Sequence, residues 1–92
     1  MATKAVSTSS TFWRDHMIDA ERHHDRRGAL LVADVIAPKL DAIRGGCQFR
    51  DMAALARKRF ACIGRHAEAW ADLRAIGDEA DRYEIEREGV HQ

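Results

Sequence analysis

The chain has 92 residues, of which 15 are basic and 15 acidic, so its formal charge is zero with histidine neutral. Hydrophobic residues make up 46% and charged residues 33%, the balance of a folded chain rather than a disordered one. These figures argue against a multidomain protein, a uniformly charged polyanion binder and a membrane-spanning segment.

Residues 1–10 are small and rich in Ser and Thr. They read as a flexible arm, not as a secretory signal. From residue 11 to 88 the sequence reads as one helical domain, followed by a short flexible tail at 89–92. Ala, Arg, Leu and Glu are plentiful and proline occurs once, which favours helices throughout.

The first helix is expected from Phe12, with Ser10 or Thr11 as its cap and Asp15 in its first turn. If it were continuous, Trp13, Met17, Ala20, His24, Gly28, Leu31 and Val35 would share one stripe. The run Glu21–Gly28 has no aliphatic side chain, which predicts a break or a very exposed turn there. Ala29–Ala37 is almost entirely apolar and is read as helix, because a lone strand would have no partner. Pro38 should kink the helix or restart it. Gly45 and Gly46 should end it and turn the chain back on itself.

The second half predicts one amphipathic helix from about Phe49 to Asp72. Phe49, Met52, Ala53, Ala56, Phe60, Ile63, Ala67, Trp70 and Ala71 recur at steps of three and four. Cys62 lies beside this stripe and reads as a small buried residue. Beyond it Ala69, Leu73, Ile76, Ala80 and Tyr83 form a second stripe on a rotated face. Either the helix breaks near Gly64 or Gly77, or the second face meets another molecule. Association is the reading adopted here. The fold class is therefore all-α: an antiparallel helical hairpin or a small three- or four-helix bundle, completed by dimerisation. No internal repeat is visible.

The zero net charge hides a polarity. Arg50–Arg65 holds five basic residues and one acid, a local charge of +4. His66–Gln92 holds eight acids and three arginines, a local charge of −5. Arg50, Arg57, Lys58 and Arg65 would share a helix face, with Arg22, Arg26 and Arg27 opposite. Tyr83 and Glu84 lie on an acidic tail expected to fray and to expose Tyr83 and Ile85. These features predict a non-enzymatic interaction protein, an adaptor, inhibitor or regulator. It would bind a protein partner through Arg50, Arg57, Lys58, Arg65, Tyr83 and Glu84, and form a homodimer. A nucleic-acid-associated regulator using the basic belt is the first alternative. The second is a metal-binding bundle using Glu21, His24 and His66, because Glu21 and His24 have the i, i+3 spacing of carboxylate–histidine pairs on one helix face.

No cofactor or catalytic residue is expected. There is no nucleophile–base arrangement and no phosphate loop. Cys47 and Cys62 lack the spacing of a metal knuckle and read as free thiols in a cytoplasmic protein.

Overall fold

A computed structural model describes residues 11–86. Within them lie four helices: α1 (Phe12–Arg22), α2 (Arg26–Arg44), α3 (Gln48–Phe60) and α4 (His66–Arg82). No strand occurs among the described residues, so the all-α expectation holds. No helix among them is long and apolar enough to cross a membrane. The expected arm at 1–10 and tail at 89–92 lie outside the described residues.

The predicted break within Glu21–Gly28 occurs at residues 23–25. Asp25 caps α2 by accepting a 3.0 Å hydrogen bond from the Gly28 N–H. A Cβ on Gly28 would collide with that carboxylate, so this glycine makes room for the cap. Pro38 does not interrupt α2, contrary to expectation. Its ring is on the exposed side of a helix that continues to Arg44. Gly45 and Gly46 then end α2 with φ of 86° and 95°, values that suit glycine and no L side chain.

The single long helix from Phe49 to Asp72 is incorrect. The chain leaves α3 after Phe60, turns through 61–65 and starts α4 at His66. Gly64 breaks it with φ of 86°, whereas Gly77 stays helical. The rotated stripe is thus the buried face of a separate helix: Ala69, Leu73, Ile76 and Ala80 are all fully buried. Tyr83 and Ile85 are half-buried against the core rather than exposed. The core of Trp13, Met17, Ile36, Leu40, Leu73 and Ile76 closes within one chain, so no second copy is needed to complete it. Leu31 and Val35, expected in the first apolar stripe, face solvent at 60% and 38% exposure.

α4 packs on all three other helices. At Gly77 it lies close against α1: an added Cβ would stand 2.8 Å from the Trp13 carbonyl oxygen.

The structure also reveals a repeat not apparent in the sequence reading. The α1–α2 and α3–α4 pairs are two versions of one helix–turn–helix unit. Buried Trp13, Met17 and Ala20 of α1 match Phe49, Ala53 and Ala56 of α3. Buried Ala29, Ala33, Ile36, Ala37, Leu40 and Asp41 of α2 match Ala69, Leu73, Ile76, Gly77, Ala80 and Asp81 of α4 at the same spacings. The two buried acids do the same work. Asp81 accepts from the Trp13 and Arg14 N–H groups at the start of α1, at 2.8 and 2.9 Å. Asp41 accepts from Phe49 and Arg50 N–H at the start of α3, at 2.7 and 3.1 Å. Each unit thus caps the first helix of the other, satisfying donors that a helix start leaves free.

Thr11, an expected cap, occupies the cap position without capping. Its hydroxyl donates to Asp15 at 2.9 Å, just as the Cys47 thiol donates to Asp51 at 3.4 Å. Even the ion pairs correspond, with reversed signs. Glu21 meets Arg74, and Arg57 meets Asp34.

Candidate interaction site

The repeat brings both inter-helix junctions to one end of the bundle, around Phe60. The Arg26 guanidinium lies 5.5 Å from the Phe60 ring centroid, at the distance of a cation–π contact. The His66 ring is edge-on to Phe60 at 5.8 Å, and the Trp70 ring at 5.1 Å. The Phe60 carbonyl accepts from Arg26 at 3.5 Å and lies 3.0 Å from His66 Nε2. Three helix ends are therefore tied to one aromatic residue.

The two junctions differ in length. Residues 23–25 join α1 to α2, whereas 61–65 join α3 to α4. His24 and Gly64 hold matching left-handed positions, with φ of 57° and 86°. The longer junction carries Ile63, whose side chain is 100% exposed. Cys62, expected to be buried, is exposed beside it.

Cations surround this end, but most are matched. Arg57 binds Asp34 through both terminal nitrogens, and that carboxylate pushes the guanidinium's pKa further up. Arg59 binds both oxygens of Asp72, at 2.9 and 2.8 Å. Arg65 pairs with Glu68, whose carboxyl is held below its usual range by that hydrogen bond. Arg27 and Lys58 have no ion-pair partner among the described residues. An open cleft of about 550 Å³ lies between the start of α2 and the end of α3. His24, Asp25, Arg26, Arg27, Leu30, Leu31, Arg57 and Phe60 line it.

The residues expected to form one contact surface are divided. Arg57, Lys58 and Arg65 lie at the Phe60 end. Arg50, Tyr83 and Glu84 lie at the other, where Asp78, Glu79, Asp81 and Glu86 also cluster. Arg50 is engaged with Asp41, its Nε 2.9 Å from the carboxylate. Along the expected basic belt, Arg50 and Arg57 are each met by an acid of α2, Asp41 and Asp34. The expected polarity instead becomes a difference between the two ends of the molecule.

Glu21, His24 and His66 are not brought together. Glu21 is bound to Arg74 and His66 contacts the Phe60 carbonyl. No group of three or more His, Cys, Asp or Glu that could hold a metal ion occurs among the described residues. Cys47 is exposed, and the Asp51 carboxylate that accepts its S–H pushes the thiol's pKa up, opposite to the shift that activates a nucleophile.

Sequence reading missed Leu31 and Ile63 as surface features. Leu31 and Ile63 fit the apolar stripes, and only the positions of the breaks put them outside. No family model, curated protein or solved structure matches this chain.

Proposed function

We propose that the protein is a non-enzymatic helical interaction module, an adaptor, inhibitor or regulator, that docks a protein partner through its Phe60 end. The observation that carries this reading is Ile63. The α1–α2 junction shows that this fold can join its paired helices in three residues, yet the α3–α4 junction takes five and projects an isoleucine wholly into solvent. A fully exposed isoleucine contributes nothing to the core, and an apolar group of this kind within a polar rim suits a protein interface. Arg27 and Lys58, which lie at the same end of the bundle and lack an ion-pair partner among the described residues, favour an acidic partner surface with an apolar recess.

A photoreactive residue at position 63 tests this in the cells that make the protein. Position 63 should give a discrete protein adduct, which the Arg27→Glu/Lys58→Glu double variant removes. A photoreactive residue at exposed Ala54 should not give that adduct. Adducts at Ala54 with none at position 63 would sink the reading.

The nucleic-acid alternative rests on the unpaired Arg27 and Lys58. It is the weaker one because Arg50, Arg57, Arg59 and Arg65 are already matched by acids, leaving few cations for a phosphate backbone. A homodimer remains part of the proposal, with the exposed α2 side chains Val35 and Ile43 as its contact. Sedimentation at several concentrations tests it. A mass of 10.4 kDa throughout would remove it.

A further inference from the structure

The cleft beside the docking loop combines two chemistries. Leu30, Leu31 and Phe60 give it an apolar wall, while Arg26 and Arg27 supply cations and Arg57, at its edge, is held by Asp34. We infer that it binds a phosphate monoester on an apolar or aromatic stem, in the form of a phosphorylated side chain of the docking partner. This rests on the docking reading above and names the partner's chemistry.

The cleft's volume of about 550 Å³ lies within the roughly 300–1,000 Å³ range of ligand sites. One of its guanidiniums is already positioned, Arg26 over the Phe60 ring. Arg27 is unpaired among the described residues. A phosphate monoester carries about −1.5 to −2 charge and three acceptor oxygens, and guanidinium groups match that geometry better than ammonium groups do. The apolar wall suits the stem: Leu31 is 60% exposed beside the cations.

The other repeat provides an internal comparison. At the corresponding start of α4 the acid, Glu68, lies within the first turn, whereas the acid of α2, Asp25, lies one position before the helix with its carboxylate bound to the Gly28 N–H. Trp70 stands where α2 has Leu30, and its ring is buried against Phe60. The smaller Leu30 leaves room that Trp70 would take. The same framework thus carries an open, cation-lined cleft in one repeat and an indole beside an acid in the other.

The test is a titration of the full chain followed by backbone amide NMR, with phenyl phosphate, inorganic phosphate and phenol as probes. Phenyl phosphate should give saturable shifts at Arg26, Arg27 and Gly28. Inorganic phosphate should bind the same amides several-fold more weakly, and phenol should leave them unmoved. Arg27→Glu should weaken phenyl phosphate at least tenfold while keeping a dispersed spectrum. Lys39→Glu, at an exposed position farther along α2 and outside the cleft, should change it less than twofold. No saturable shift, or shifts that survive Arg27→Glu, would overturn the inference. So would tighter binding of a short oligonucleotide than of a phosphopeptide, which would reassign the cleft to a nucleic-acid backbone. The docking reading fails separately: loss of the position-63 adduct alone removes docking, and loss of phenyl phosphate binding alone removes the phosphate.

Discussion

Asp41 and Asp81 sit near the ends of their helices, where a negative charge opposes the helix dipole. In the sequence Asp81 looks like part of the acidic, fraying tail, and nothing there singles out Asp41. Their partners explain them, and those partners are eight or nine residues away for Asp41 and 67 or 68 for Asp81. Local sequence rules relate a cap to its own helix, so a carboxylate that caps a different helix escapes them. Burial opposes ionisation of Asp41, but the Phe49 and Arg50 N–H groups and the Arg50 guanidinium outweigh it and hold the carboxyl below its ordinary value. Its contribution is therefore complete above the unfolded value of about 3.9 and is lost as pH falls through the lower folded value. Asp41→Asn should cost about 1–3 kcal/mol at pH 7. In urea melts, the gap between the variant and the parent should narrow below about pH 4. A constant gap would mean that the charge is not what Asp41 contributes. Gly77 is a second position whose role is long-range. Gly77→Ala should gain helix propensity yet lose about 1–3 kcal/mol overall, because the new methyl meets the Trp13 backbone. A stabilised variant would show that the two helices can move apart at little cost.

At the scale of elements, the two halves of the sequence were legible to different degrees. The α1–α2 break was readable because Glu21–Gly28 lacks aliphatic side chains. The α3–α4 break was not, because Ile63, Ala67 and Ala71 continue the three-and-four spacing across it although all are exposed. The true signal was the change of face at Ala69, which the separate helix α4 explains without a second molecule. The basic site was legible as a concentration of charge but not as a set of pairs, since Asp34 and Asp72 lie on helices other than the arginines they bind. The Arg57–Asp34 pair is open to direct measurement. Both side chains are nearly half exposed, at 47% and 43%, so the pair should be worth no more than about 1 kcal/mol. Arg57→Glu alone should lose that and add repulsion against Asp34. Combining it with Asp34→Arg should recover most of the loss in a double-mutant cycle read by urea unfolding. No recovery would place the cost of Arg57→Glu in the packing of its aliphatic stem rather than in the charge.

For the molecule as a whole, the repeat makes each half the complement of the other. Asp41 of the first half caps α3, and Asp81 of the second caps α1. The Trp13 indole donates to the Ile85 carbonyl at 2.9 Å, and Met17, Ile36 and Leu40 share a core with Leu73 and Ile76. A half of about 45 residues exposes one side of that core and falls near the roughly 40-residue floor for unaided folding. Two copies of the first half could in principle imitate the intact bundle. The reversed ion pairs oppose this: Glu21 would face Asp34 of the other copy, and in a pair of second halves Arg57 would face Arg74. The sign reversal therefore favours the mixed pairing over either self-pairing. Fragments 1–45 and 46–92 should each show little helix by circular dichroism. Mixed at equal concentration, they should recover the helicity of the intact chain as a one-to-one complex. Asp34→Arg in the first fragment should raise its self-association by replacing the Glu21–Asp34 repulsion with an attraction. A first fragment that pairs with itself as readily as with the second would show that the repeat is symmetric in shape but that its charges do not direct the pairing.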